Sequence, residues 1–258
     1  ETFNGNLLLL PKNCRLTEFT LEGILNMQGN FECKDYFYVK RFIMPFVNVA
    51  GDITIALNTG SVDTGAEIEF PKLQEIGGAL TLGKNINANK IDFPLLKRIL
   101  GSCSVTTSHL KNDIEFTNLE SIGTDGANAQ IKFEIDGTNI LCPKLKTING
   151  KFDITTSTVI FDMEADQVSY PNVESISENL SITCPYSDFG SNGILSIDFS
   201  GLKSVKGISI SGQGDVTDFS SFKYLFENNV LTGESQWSVR ECAYNPTYQD
   251  MKNGKYKQ

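Results

Sequence analysis

Two carboxylates are the side chains whose spacing comes nearest to suggesting covalent chemistry. Glu134 and Asp153 are the middle residues of the alternating stretches Phe133-Glu-Ile135 and Phe152-Asp-Ile154. If both stretches are strands, the middle residues face outward. On adjacent coils they would lie about one strand spacing, ~4.8 Å, apart. That is near the ~5–5.5 Å separation of the two carboxyl groups of a retaining glycosidase. The other expected outward residues are Thr54, Thr81, Ser104, Ser181 and Ser209, with no Lys, Arg or aromatic platform in the same row. Such a row is what a solvated strand face requires. The single histidine, His109, sits in a loop after Val105, whereas metal sites and most acid–base catalysis need clustered groups. No Gly-x-Ser-x-Gly elbow, phosphate-cradling glycine loop, His-Glu-x-x-His or Cys-x-x-Cys spacing is present. The expectation is a non-catalytic chain with no catalytic residue and no metal or cofactor site. A β-helical carbohydrate-active enzyme acting through Glu134 and Asp153 is the alternative.

Non-covalent recognition has more to draw on. Tyr186 and Phe189 lie among small polar residues in Cys184-Pro-Tyr-Ser-Asp-Phe-Gly190, and Phe161 and Met163 lie in Val159-Ile-Phe-Asp-Met163. Exposed aromatic and apolar side chains mark protein or glycan contacts. These four are the candidate partner-binding residues, and the competing expectation is that both segments fold back over the core.

Charge narrows the partner. The formal net charge is −9, opposite to what binding nucleic acid through phosphate neutralisation requires, and equally unsuited to docking on an anionic bilayer. The longest apolar run, Leu7 to Leu10, is far short of the ~20 residues that span a membrane. No signal peptide is visible at Glu1, which fits either a cytosolic chain or one whose leader has been removed. A lipid anchor on a removed N-terminus is compatible with the second case. Of the six cysteines, Cys103 and Cys142 stand where other repeats carry apolar residues, so they are expected as core fillers. Cys14 and Cys33 are spaced so that a disulfide between them is open.

All of these residues must be positioned by a repeat. Phe70-Pro-Lys-Leu73-Gln-Glu-Ile76, Phe93-Pro-Leu-Leu96-Lys-Arg-Ile99 and Phe116-Thr-Asn-Leu119-Glu-Ser-Ile122 share apolar first, fourth and seventh positions. So do Cys142-Pro-Lys-Leu145-Lys-Thr-Ile148, Tyr170-Pro-Asn-Val173-Glu-Ser-Ile176 and Phe199-Ser-Gly-Leu202-Lys-Ser-Val205. Weaker copies begin at Ile43 and Phe219. After each copy comes strict alternation, as in Ile53-Thr-Ile55, Leu80-Thr-Leu82 and Ile208-Ser-Ile210, and before it a shorter one, as in Ile68-Glu-Phe70. Each coil therefore reads as strand, anchor turn, second strand and a loop of variable length. One coil cannot bury its apolar side alone; stacked coils can. The predicted fold is an all-β solenoid, a right-handed parallel β-helix of irregular leucine-rich coils. Residues 1–42 are expected to form an N-terminal cap or degenerate coils, 43–227 the repeats, and 228–258 a C-terminal cap and tail. A helical turn is predicted near Thr247, after Pro246.

The repeated Phe-Pro-x-Leu-x-x-Ile followed by an alternating strand resembles receptor L domains and leucine-rich surface proteins. The tail Tyr244-Asn-Pro-Thr-Tyr248-Gln-Asp-Met-Lys-Asn-Gly-Lys-Tyr256 resembles the ending of secreted leucine-rich and L-domain-like proteins of gut Bacteroidetes. The resemblance implies a β-helical, extracytoplasmic protein, secreted or at the cell surface, that binds a protein or glycan partner. A structural spacer in a larger surface protein is a further possibility. Receptor L domains of animal cells are disulfide-capped and these cysteines do not follow that arrangement, so no functional residue is carried over.

Overall fold

In the computed structural model the chain is a parallel β-solenoid. The structure describes residues 1–9, 18–34, 40–56, 66–83, 88–106, 112–126, 128–135, 138–156, 166–184, 194–212 and 215–258. Each coil contributes strands to three faces. The first is an 8-stranded sheet of two-residue strands, the short-strand sheet; the second is a 10-stranded long-strand sheet. The third face holds a 6-stranded sheet and, in later coils, the 2-stranded pair Asp166–Ser169 and Ile194–Asp198. All named pairings are parallel and join each coil to the next, as Ile76 to Ile99 and Leu80 to Cys103 show.

The anchor pattern produces this directly. Phe70, Phe93 and Phe116 are fully buried and stack face to face, with centroids 4.9 and 5.5 Å apart and interplanar angles of 11° and 18°. Leu73, Leu96, Leu119 and Leu145 form a buried aliphatic column beside them. The seventh positions, Ile76, Ile99, Ile122, Ile148 and Ile176, are paired rung on rung in the short-strand sheet. Where the sequence reads as an anchor turn alone, the structure has a third strand. Two-residue strands are too short for alternation to reveal. Cys142 interrupts the aromatic column with a much smaller side chain. Phe133 and Phe152, on the neighbouring long strands, fill the volume, with Phe152 5.5 Å and Phe133 6.0 Å from the ring of Tyr170. The buried Tyr170 hydroxyl donates to the Ile140 carbonyl at 3.1 Å, so the polar end of this ring is satisfied.

Two weak copies of the repeat differ from expectation. In the first, the anchor is Met44 rather than Ile43. Met44 is fully buried, and its amide donates to Glu69 O just as that of Phe70 donates to Asp92 O. Ile43 pairs with Glu69 on the outward row. The turn is one residue shorter here, so counting three back from Phe46 lands on the wrong residue. In the last copy Phe219, Phe222 and Leu225 are all buried, but Ser220–Phe222 is 3₁₀ and Lys223–Glu227 α-helical. A spacing of three suits one helix turn as well as an anchor turn.

Residues 1–43 supply strands to all three sheets, from Thr2–Phe3, Leu7–Leu9 and Glu18–Thr20 onward. Cys33 there is a buried free thiol rather than half of a bridge to Cys14; Cys14 lies outside the described residues. After the helical copy, Trp237–Arg240 adds the last long strand. Thr247 then caps the helix Tyr248–Lys252 in a capping box with Asp250, as Pro246 and Thr247 suggest. Trp237 packs edge-on to Phe222 and Phe226 at 5.6 and 5.1 Å, and its Nε1 donates to Pro246 O at 2.9 Å.

Urea denaturation checks the anchor assignment. Phe93→Ala and Leu96→Ala are expected to destabilise the chain by about 2–5 kcal/mol each. The intervening Leu95, 43 % exposed, is expected to tolerate alanine within about 0.5 kcal/mol.

Candidate functional site

The outward face of the long-strand sheet is the first place to look for converging side chains, because its rungs are in register. One row runs Glu32, Thr54, Thr81, Ser104, Lys132, Asp153, Ser181, Ser209 and Ser238, each paired with the next. A second row runs Thr106, Glu134, Thr155, Thr183, Ser211 and Arg240. Glu134 and Asp153 therefore do not share a row: the residue beside Asp153 is Lys132, and Glu134 stands beside Thr155. The strand Ala129–Ile135 begins earlier than its sequence suggests. Ile131, Phe133 and Ile135 alternate identically, so a shift by two residues leaves every apolar side chain facing inward. A basic residue, Lys132, thus occupies the row expected to hold none.

Both carboxylates are ion-paired on this face. Lys132 Nζ lies 2.5 Å from Glu134, and Lys151 Nζ 2.9 Å from Asp153. The Thr106 hydroxyl donates to Glu134 at 2.9 Å. The pair that suggested glycoside hydrolysis is thereby separated by register, and each member has a lysine from its own strand. Among the described residues no group of three His, Cys, Asp or Glu is placed to hold a metal ion, and no helix is long and apolar enough to cross a membrane.

A polar cleft of ≈ 430 Å³ opens on the third face near the C-terminal end. Ser196 and Asp198 of the last strand there, Ser200 after it, and Thr217, Asp218 and Ser220 line it. Asp198 and Asp218 each accept a hydrogen bond from the backbone N–H two residues on, from Ser200 at 2.9 Å and Ser220 at 2.8 Å. The bonds from Ser220 hold the Asp218 carboxyl below its ordinary range, with nearby Lys257 adding to the effect. These residues were not singled out from sequence. The signal is present as a repeated Asp-Phe-Ser, at Asp198-Phe-Ser200 and Asp218-Phe-Ser220.

The four candidate contact residues, Phe161, Met163, Tyr186 and Phe189, and also His109, lie outside the described residues. Their flanks are described, and these define a corner. Thr156 and Cys184 end strands of the long-strand sheet, and Asp166 and Ile194 begin strands of the third face. The same corner receives every other join between those two faces. It also carries most of the length variation, from four residues between Ile135 and Ile140 to nine between Ala56 and Ala66, Thr156 and Asp166, and Cys184 and Ile194. The corner from the third face to the short-strand sheet is nearly invariant. Five residues separate Glu69 from Glu75, Asp92 from Arg98, Glu115 from Ser121, Leu141 from Thr147 and Ser169 from Ser175. Exposed large apolar side chains among the described residues, such as Leu8, Leu95 and Leu141, are scattered.

Comparison of the chain with known family models, curated proteins and solved structures finds no match.

The thiols offer a check on nucleophilic chemistry. Burial pushes Cys33 and Cys103 up to about 12 and Cys142 well above its ordinary value; half-buried Cys242 rises to about 11, mainly by burial. Thiolate is the reactive form, so at pH 8 these groups are almost wholly protonated. In a Cys14→Ser background, Ellman's reagent is expected to leave Cys33, Cys103 and Cys142 unmodified in native protein and to titrate them fully in guanidinium. Rapid native labelling of Cys103, read by peptide mass mapping, contradicts the burial described here.

Proposed function

We propose that the chain is a non-catalytic recognition solenoid of the cell surface or extracellular space. It binds a protein or glycan partner along the edge where the long-strand sheet meets the third face. One observation carries this proposal: the corner from the third face to the short-strand sheet holds its length nearly constant, while this corner varies from four to nine residues. A loop leaving a rigid scaffold costs little, since closure entropy rises slowly with length, and binding residues gather on such loops. The composition of two of the longest connections fits this role, with Phe161 and Met163 in one and Tyr186 and Phe189 in the other. Aromatic side chains give contact area at low entropy cost. The net charge of −9 favours neutral or basic partners over phosphate-rich ones.

The test is binding of the purified chain to a glycan array and an extracellular-matrix protein panel. It is repeated with residues 157–165 or 185–193 replaced by glycine–serine segments of equal length. A specific hit is expected, weakened at least tenfold by one replacement and several-fold by Tyr186→Ala or Phe189→Ala, with melting temperature nearly unchanged. Silence on both panels, or binding indifferent to both replacements, overturns the proposal and favours a structural spacer.

A further inference from the structure

The cleft on the third face lies beside an interrupted sheet. The 6-stranded sheet ends at Ile140–Leu141, and in the pair that follows, Ile194–Asp198 is laddered among the described residues only on the side of Asp166–Ser169. On its other side, where the next coil would supply a strand, Thr217–Ser221 passes without laddering and the cleft opens between the two segments. Strand geometry fixes which groups face this opening. Asp198 O is turned to the preceding coil, where it accepts from Tyr170 N at 2.8 Å. Successive carbonyls alternate along a strand, so Ile197 O is turned the other way. There it meets the Ser221 hydroxyl at 3.2 Å, a side chain standing where a strand's N–H would be.

Across the cleft the same accounting applies to Thr217–Phe219. Thr217 O and Phe219 N are engaged by the tail, through Gln258 N at 3.1 Å and Tyr256 O at 2.8 Å, with Lys257 opposite Asp218 in an antiparallel bridge. This turns the Asp218 amide and carbonyl to the side away from the tail. The tail is itself an extended, lysine-bearing segment added to this strip of backbone, so the molecule already displays this kind of pairing beside the cleft. Each carboxylate has one oxygen tied into its own turn by a backbone N–H, which fixes its orientation, and nearby Lys257 shows that the Asp218 carboxyl already draws a cation. The cleft's size falls within the ~300–1,000 Å³ usual for ligand sites.

We propose that this cleft binds an extended, lysine- or arginine-bearing peptide segment by strand addition. The peptide backbone bonds to the open edge of Ile194–Asp198, and a cationic side chain lies between Asp198 and Asp218. Main-chain bonds of this kind supply affinity and side-chain pockets specificity; charge-assisted bonds to carboxylates are the stronger sort. The proposal does not rest on the loop-bearing corner. The incoming strand displaces the Ser221 hydroxyl from Ile197 O.

Three end-blocked peptides test this by fluorescence anisotropy at physiological ionic strength: one alternating lysine and valine, its glutamate counterpart, and the lysine peptide with alternate backbone nitrogens methylated. The lysine peptide is expected to bind and to shift the NMR amide signals of Ile197 and Asp218; the other two should bind at least tenfold more weakly. Asp198→Asn with Asp218→Asn keeps the turn-forming oxygens and removes the charge, and is expected to weaken binding at least tenfold. Ser221→Ala frees the carbonyl and is expected to tighten binding, which damage to the fold does not do. Equal binding of the glutamate or methylated peptide, indifference to the double substitution, weaker binding by Ser221→Ala, or no shift at Ile197 and Asp218 overturns the proposal.

Discussion

The structure depends on in-register parallel stacking, in which each coil satisfies the backbone of its neighbours. No coil has a closed set of hydrogen bonds of its own, and a buried unpaired amide or carbonyl is costly. Each residue is therefore constrained by those above and below it at every corner. At the corner between the short- and long-strand sheets, side chains complete the ladder. Asn6 Oδ1 accepts from Asn30 N at 2.8 Å, Asn30 Oδ1 from Asp52 N at 2.9 Å, and Asp52 Oδ1 from Ala79 N at 2.7 Å. Backbones approach so closely there that a Cβ on Gly101 would sit 2.6 Å from Gly78 C; only glycine fits that approach.

The same constraint explains where the chain is free to vary. The anchor turn is held from inside by its Phe and Leu positions and along the stack by bonds such as Gln74 N to Val47 O and Lys97 N to Gln74 O. Adding a residue there puts every later side chain out of register. Met44 shows the tolerance of the turn: one residue fewer is absorbed because Met, with its flexible thioether, fills the anchor space. Extra chain is accommodated at the third corner, and once between Ile122 and Ala129. The physical division into fixed and variable corners thus precedes any use to which the variable one is put.

Legibility from sequence follows the same lines. The anchors Phe70, Leu73 and Ile76 and their copies can be read directly, because three fixed apolar positions in one turn leave few alternatives. The row occupied by Glu134 cannot. Alternation specifies which face a residue takes but not which rung it joins, and Ile131, Phe133 and Ile135 satisfy the inward face in either register. The short-strand sheet escapes for lack of length, since Glu75–Ile76 shows no period. The cleft escapes for another reason. Asp198 and Asp218 look like ordinary turn-forming residues, and only the absence of a pairing strand beside Ile194–Asp198 gives them a common opening. Such an absence follows from how the final coil turns helical, which a spacing of three at Phe219, Phe222 and Leu225 leaves ambiguous.

The first and last coils described are covered unequally. At the C-terminal end, Phe219, Phe222, Phe226 and Trp237 make an edge-to-face cluster, and Met251 of the last helix is fully buried. Lys252 Nζ ties that helix to Phe226 O at 3.2 Å. At the other end Phe3, Leu7, Leu9 and Phe19 are only partly covered, and Leu8 is half exposed on the outer face. In a solenoid, stability is close to a sum over coils and their shared interfaces. The interrupted third face lies next to the aromatic cluster of Phe219, Phe222, Phe226 and Trp237, which packs the final coil against the rest of the stack and so holds the strand edge in place.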